Sequence, residues 1–210
     1  MILGIETSTT HASLAVVSLE TKEVVRHFDF VTERAHNAVI FEPVTQLLHE
    51  FRDDLEGVAV GLGPGSYGGV RVGIAVANGL SLVLGIPVIG VSSLEAWDSS
   101  TEHYVVFGDA RRKTFFRANV ADRVLQGEPD LVSVEETAAW VDERIAATDS
   151  MFVTADQTVS DVIPSVTTCY PNAGRLALKA MEHHPTEWPR DSILEPHYLR
   201  APYITTPKPK

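Results

Sequence analysis

Apolar and polar positions follow one another in a fixed order over the first hundred residues. Ile2 to Ile5 is a short apolar run that ends in the polar turn Glu6-Thr7-Ser8-Thr9-Thr10. Leu14 to Leu19 and Glu23 to Phe30 read as two further strands, the pattern of an antiparallel meander. Ile40, Val44, Leu47, Leu48 and Phe51 then recur at helical spacing on one face. They predict a helix from about Asn37 to Phe51, with Asn37 as its cap and Pro43 kinking its first turns. Gly57 to Gly61 reads as a short buried strand, Gly63-Pro64-Gly65 as a turn, Ser66 to Leu84 as a second helix and Val88 to Val91 as a closing strand.

Three strands, helix, strand, helix, strand is the ribonuclease-H-like arrangement, a mixed sheet with helices on both faces. The second half starts the same pattern again. Tyr104 to Phe107 leads through Gly108-Asp109 and the polar turn Arg111-Arg112-Lys113 into Thr114 to Val120. A helix is expected from Val134 to Ala147, a strand from Met151 to Thr154 and a last helix from Asn172 to about His183. The expected fold class is α/β, two duplicated ribonuclease-H-like lobes of the actin and sugar-kinase type, the second degenerate. Residues 1–100 form the first lobe and 101–184 the shorter second lobe. From Pro185 onward the repeated prolines mark an extended tail, 185–210, packed back in part through Tyr198, Leu199 and Tyr203.

Charge narrows the function classes. The 210 residues carry a formal net charge of −11, so the chain repels a phosphate backbone and is not expected to hold nucleic acid tightly by itself. The single cysteine, Cys169, excludes an intramolecular disulfide and a cysteine-based zinc site. No basic region precedes the first apolar run, so no signal peptide is read and a cytoplasmic protein is expected. Val72 to Val91 is long and apolar enough to span a bilayer. Asn78, Gly79, Ser81, Gly85 and Pro87 interrupt it, and a buried helix followed by a strand is the expectation.

The segment Gly61-Leu62-Gly63-Pro64-Gly65-Ser66-Tyr67-Gly68-Gly69-Val70-Arg71-Val72-Gly73 concentrates the candidate chemistry. A strand entering a glycine-rich turn and then a helix aims backbone N–H groups at one place, so Gly63, Gly65 and Ser66 are candidates for an anion loop. It is neither a P-loop nor a dinucleotide fingerprint, and a tight turn with close helix packing explains the same glycines. Glu6 and Asp109 occupy matching places in the two halves and are candidate paired acids across a cleft. An acid capping a hairpin beside Arg111 and Arg112 is the simpler reading of Asp109. Arg111, Arg112, Lys113 and Arg117 form the one basic cluster. None of the eight histidines has another three or four residues away, so no helical metal pair is available.

Five ordered blocks carry a resemblance. The glycine segment is similar to the GPGSFTGLR-type signature of the TsaB (YeaZ-like) family. The opening Ile5-Glu6-Thr7-Ser8-Thr9, the stretch Gly85-Ile86-Pro87 through Glu95, Gly108-Asp109-Ala110-Arg111 and Pro196-His197-Tyr198-Leu199-Arg200 resemble that family's other blocks. Tyr67-Gly68 replace the Phe-Thr of the signature, Glu6 replaces its Asp, and Thr154-Ala155-Asp156 stands where a glycine-containing turn is usual. The resemblance implies a non-catalytic partner, with no cofactor or metal of its own, of a metal-bearing TsaD-like synthase. That synthase forms threonylcarbamoyladenosine beside the anticodon of tRNA. A TsaE-like ATPase subunit joins the assembly, tRNA is met through the complex, and a homodimer forms when the chain is alone. Where the synthase has two metal-binding histidines this chain has Ser93 and Trp97, which weighs against a metallopeptidase. The family pairs through the two helices of the first lobe. Ile40, Val44, Leu47, Val70, Arg71, Gly73, Ile74, Ala77 and Leu80 are therefore the expected partner interface. The alternative is a small-molecule kinase or ATPase of the same fold, using Glu6 with Mg²⁺ and the Gly63–Gly65 turn on phosphates.

Overall fold

The computed structural model describes residues 1–31, 37–145, 147–189 and 193–199. The Asn37 side chain and Tyr203 lie outside the described residues, and the α-helix that follows starts from Ile40 with no side-chain cap.

The apolar run of β1 (Ile2–Glu6) forms the centre of the first sheet, and all five of its residues are buried. β2 (His11–Val17) and β3 (Val24–Val31) extend the sheet antiparallel on one side, while β4 (Gly57–Gly61) and β5 (Val88–Val91) extend it parallel on the other, in the order β3-β2-β1-β4-β5. The second strand starts three residues earlier than its apolar run, at His11, because Ser13 still pairs with Glu6 of β1 and Ala12 and His11 pair with Phe30 and Val31 of β3. α1 (Phe41–Phe51) follows a 3-10 turn over Asn37–Ile40. Pro43 therefore sits in the first turn of α1, where a missing N–H costs no intrahelical bond, and the expected kink takes the form of that tighter turn. α2 (Tyr67–Leu84) runs from its Ser66 cap to Gly85, whose φ of 69° ends the helix in the left-handed region.

The second sheet repeats the order. β6 (Tyr104–Asp109) is central, with β7 (Thr114–Ala121) antiparallel to it and β9 (Asp130–Ser133) antiparallel to β7. β10 (Met151–Thr154) and β11 (Thr167–Thr168) follow in parallel on the other side. The path β9-β7-β6-β10-β11 thus matches β3-β2-β1-β4-β5, and a two-residue β8 (Val124–Leu125) also pairs with β7. α3 (Val134–Arg144) begins in a capping box between Ser133 and Glu136 and ends three residues short of expectation. α4 (Gln157–Val162) is a third of the length of its counterpart α2. Duplicated lobes with mixed sheets flanked by helices are therefore what the chain folds into.

One boundary moves. α5 (Ala173–Ala180), expected in the second lobe, packs on the sheet of the first: Leu176, Ala177 and Ala180 are buried with Ile2, Val17 and Ala59. It is shorter than the expected Asn172 to His183, starting from the Asn172 side chain, which accepts from the Gly174 and Arg175 N–H groups. Gly4 permits this docking, since a methyl there would strike the Ala173 carbonyl. Trp188 covers Gly57 in the same way. The first lobe is thus completed on its second face by residues that follow the second lobe in the chain.

Candidate functional site

The glycine turn is built by close approach to the end of β1. Gly61 faces the Glu6 carboxyl and the Ser93 hydroxyl, and an added methyl would collide with both. Gly65 abuts the Ser8 carbonyl and Gly69 the Thr7 carbonyl, while the Thr7 hydroxyl donates to the Gly69 carbonyl at 2.9 Å. The candidate anion donors are already committed in part. The Gly63 N–H donates to Ser93 Oγ at 3.1 Å, and the Ser66 N–H donates to the Ser8 carbonyl at 2.6 Å. Ser66 Oγ accepts from the Gly69 N–H at 3.3 Å and caps α2. In this chain the glycines of the turn serve first to seat α2 against β1.

Glu6 is completely buried behind that turn. Its Oε1 accepts from the Ser8 N–H at 2.7 Å, whereas Oε2 and the Ser8 hydroxyl are buried without a hydrogen-bond partner. Burial pushes the Glu6 carboxyl above the usual carboxylate range, and the Ser8 N–H with the other polar groups around it offsets only part of that. Asp109 is not brought to it. Asp109 caps its own hairpin, accepting from the Arg111 N–H at 2.7 Å and pairing with the Arg111 guanidinium at 3.1 Å. Its N–H donates to Asp156 Oδ2 at 2.7 Å, and burial together with the nearby Asp109 charge raises the Asp156 carboxyl. Sequence reasoning passed over Asp156 as an acid. Its position just before α4, after a buried strand, was the available signal.

Between the lobes lies a cleft of about 1360 Å³, lined by Thr7 to Thr10 and Gly65 to Gly69 on one side and by Asp109, Arg111 and Asp156 on the other. Three successive residues at its rim, Arg111, Arg112 and Lys113, have φ of 66°, 55° and 59°. Such left-handed conformations are costly for side-chain-bearing residues. Arg117, read with them as one basic cluster, faces elsewhere: it pairs with Asp130 at 2.8 Å and lies over the Trp140 ring.

The expected partner interface falls mostly inside the lobe. Ile40, Val44, Leu47, Val70, Gly73, Ile74 and Ala77 are buried against β1, β2 and β4, and only Arg71 and Leu80 of the nine reach the surface. Gly73 is close-packed on Thr7 and Val60 of its own sheet, not on another helix. In the single chain these seven are taken up by the lobe's own core, for a physical reason: a helix apolar on all sides turns one apolar face inward, and periodicity cannot say which. The opposite face of α2 stays open. Leu82 is 85% and Val83 72% exposed, Gly68 and Gly79 have open space where a side chain would stand, and Ala75 is exposed between them. On α1, Phe41 is 58% exposed. By length and composition α2 could also cross a membrane, but its Val70, Gly73, Ile74 and Ala77 side belongs to the packed core of a mixed-sheet lobe.

The places matching the synthase's metal-binding histidines do not suit a metal. Ser93 Oγ is 1% exposed and occupied by the Gly63 N–H, and the Trp97 indole, 4% exposed, offers a donor and no lone pair. Among the described residues no three His, Cys, Asp or Glu side chains gather as a metal site.

The sequence profile of the family described as "tRNA N6-adenosine threonylcarbamoyltransferase" (TsaD) matches residues 30–151, more than half of the chain. A protein of that name from Ehrlichia chaffeensis is 34% identical over 113 residues, which is 46% of this chain and 32% of that protein. The "tRNA threonylcarbamoyladenosine biosynthesis protein TsaB" of Bacillus subtilis is 33% identical over 106 residues, 49% of this chain and 45% of that one. The chain thus aligns with less than half the length of either relative. The solved structure of YeaZ from Pseudomonas aeruginosa superposes with a TM-score of 0.72 at 21% identity, over 94% of this chain and 99% of that one, and has the same fold. The chain belongs to the tRNA N6-adenosine threonylcarbamoyltransferase family and stands within it with the TsaB (YeaZ-like) proteins.

Proposed function

We propose that this chain serves threonylcarbamoyladenosine formation in tRNA as a partner subunit that performs none of the transfer chemistry. It docks on a TsaD-like synthase paralogue through the open face of α2 and the adjoining end of α1. The observation that carries the reading is the pair Leu82 and Val83, two large apolar side chains left in water at one end of a face that also carries Gly79, Ala75 and, at its far end, Gly68. Exposed apolar surface of this kind marks a protein contact, and the small residues let a second helix come close. The same face would pair two copies of the chain when no synthase is present. A TsaE-like ATPase joins the assembly, and tRNA is contacted through the complex. The donors at Ser93 and Trp97, unsuited to a metal, support the non-catalytic role. The kinase or ATPase alternative requires Glu6 at the cleft as a Mg²⁺-associated acid, and its burial behind Gly61 disfavours that.

Leu82→Asp tests the docking face. Its side chain is exposed, so stability should change by less than about 0.5 kcal/mol, while association with the synthase paralogue should weaken about tenfold or more, because a charge must then be desolvated at the contact. Analytical ultracentrifugation of the mixture reads it. Association as tight as that of the parent would overturn the assignment of this face.

A further inference from the structure

The two lobes are joined by two neighbouring crossings of the chain. The Asp98 N–H donates to the Tyr170 carbonyl at 2.9 Å, the Asn172 N–H to the Ala96 carbonyl at 2.8 Å, and Trp97 bridges Pro171. The Tyr170 ring stacks on His11 beside them, with centroids 3.8 Å apart. Two adjacent crossings make a hinge, about which lobes can open and close. A third tie at a different place removes that freedom.

We propose that the segment Ile193–Leu199 is that third tie, a strap that holds the lobes at a set angle along the cleft. Its inward positions reach both cores. Leu194 packs on the first-lobe cluster that contains Leu62 and Val70, and Leu199 packs on the second-lobe cluster that contains Trp97, Tyr104 and Phe116. Ile193 and Glu195 point to solvent between them. The middle of the strap is fixed on the glycine turn: the His197 N–H donates to the Leu62 carbonyl at 2.8 Å, and its carbonyl lies against Gly63. The Tyr198 ring stacks on Tyr67 at 5.2 Å and 25°. Arg71 holds Tyr67 in turn, donating to its hydroxyl at 2.8 Å with the guanidinium 5.0 Å from the ring. His197, Tyr198 and Leu199 all line the cleft. Four attachments of different kinds, divided between the lobes, distinguish this segment from a tail resting on one surface. The cleft of this protein is a fixed groove, not a closing jaw.

The test measures the angle directly in the full chain. Spin labels are placed at Gln46→Cys on α1 and Ala139→Cys on α3, both exposed positions. Cys169 is buried and its thiol is pushed up to about 11 by burial, so it labels slowly. Double electron–electron resonance should give one narrow distance in the parent. With Leu199→Ser the distribution should widen about twofold or more as the hinge is freed, and the His197 amide should lose about tenfold or more of its hydrogen-exchange protection. Tyr198→Ala alters a side chain outside either core and should widen the distribution by a smaller amount. It decides the matter if Leu199→Ser unfolds the second lobe. A distribution as narrow as the parent's in Tyr198→Ala and in every folded strap variant overturns the proposal.

Discussion

Glu6 ends the first strand of one lobe and Asp109 ends the first strand of the other, in sheets of the same strand order. Their surroundings are opposite. Glu6 is sealed between β1, Gly61 and Ser93, with one oxygen unpartnered and no cation near it among its described contacts. Asp109 stands at the cleft with Arg111 on its carboxylate and Asp156 on its N–H. The helices differ as well. α2 has 18 residues and an apolar face to spare, whereas α4 has 6 and none. The two lobes share a topology while the chemistry at matching positions differs. The first buries its acid and has a long helix with an outward face; the second leaves its acid at the cleft and has a short helix.

The largest expected effect separates the two faces of α2. Ile74→Asp puts an unpaired charge into the first-lobe core and should cost about 4 kcal/mol or more, enough to unfold the lobe. Leu82→Asp on the other side of the same helix should leave the melting temperature almost unchanged. Thermal melts of the two variants compare the faces directly, and equal losses would erase the distinction between them. Next comes Gly61→Ala, whose methyl must displace the Glu6 carboxyl and the Ser93 hydroxyl. Overpacking of this kind costs about 1–3 kcal/mol, read by denaturant titration. A neutral result would mean that the cluster around Glu6 is loosely packed.

Glu6→Gln is smaller and informative through pH. In the unfolded chain Glu6 titrates near its ordinary 4.5, and in the folded chain above it. Between those values the unfolded state holds fewer protons, so stability that is complete below about 4.5 is lost as pH rises through the folded value. Gln does not titrate. The variant should therefore gain on the parent as pH rises above about 4.5 and until the folded pKa is passed, by about 1.4 kcal/mol for each unit by which the folded pKa exceeds the unfolded one. A difference that stays flat with pH would mean that the carboxyl titrates alike in both states. Asp156→Asn should show the same sign with the smallest amplitude, because the Asp109 N–H, and to a lesser degree Arg111, draws the Asp156 carboxyl back down.

Much of the first lobe was legible because its elements carry strong periodic signals: an unbroken apolar run in β1, a one-sided helical stripe in α1, a glycine turn before α2. The second lobe was legible only as far as the pair β6 and β7, the start of α3, and β10. β9, β11 and α4 are short, and Asp130 to Ser133 or Thr167-Thr168 offer no alternation long enough to detect. The place of α5 was invisible for a different reason. Its amphipathic stripe announces a buried face, but only the sheet it meets, with Gly4 and Gly57 making room, says which lobe it completes. The same ambiguity bears on the expected interface, since Val70 and Leu82 are equally apolar and only the fold separates the inward residue from the outward one.

The central claim is that this chain contributes a surface and no reacting group. Threonylcarbamoyl transfer to tRNA, followed in a reconstituted mixture with the TsaD-like and TsaE-like subunits, tests it most directly. The chain is included, omitted, or replaced by Glu6→Gln. Transfer should need the chain and stay within a few-fold when Glu6→Gln replaces it. Transfer indifferent to omission, or a loss of about a thousandfold with Glu6→Gln, the scale of removing an essential catalytic group, would contradict the claim.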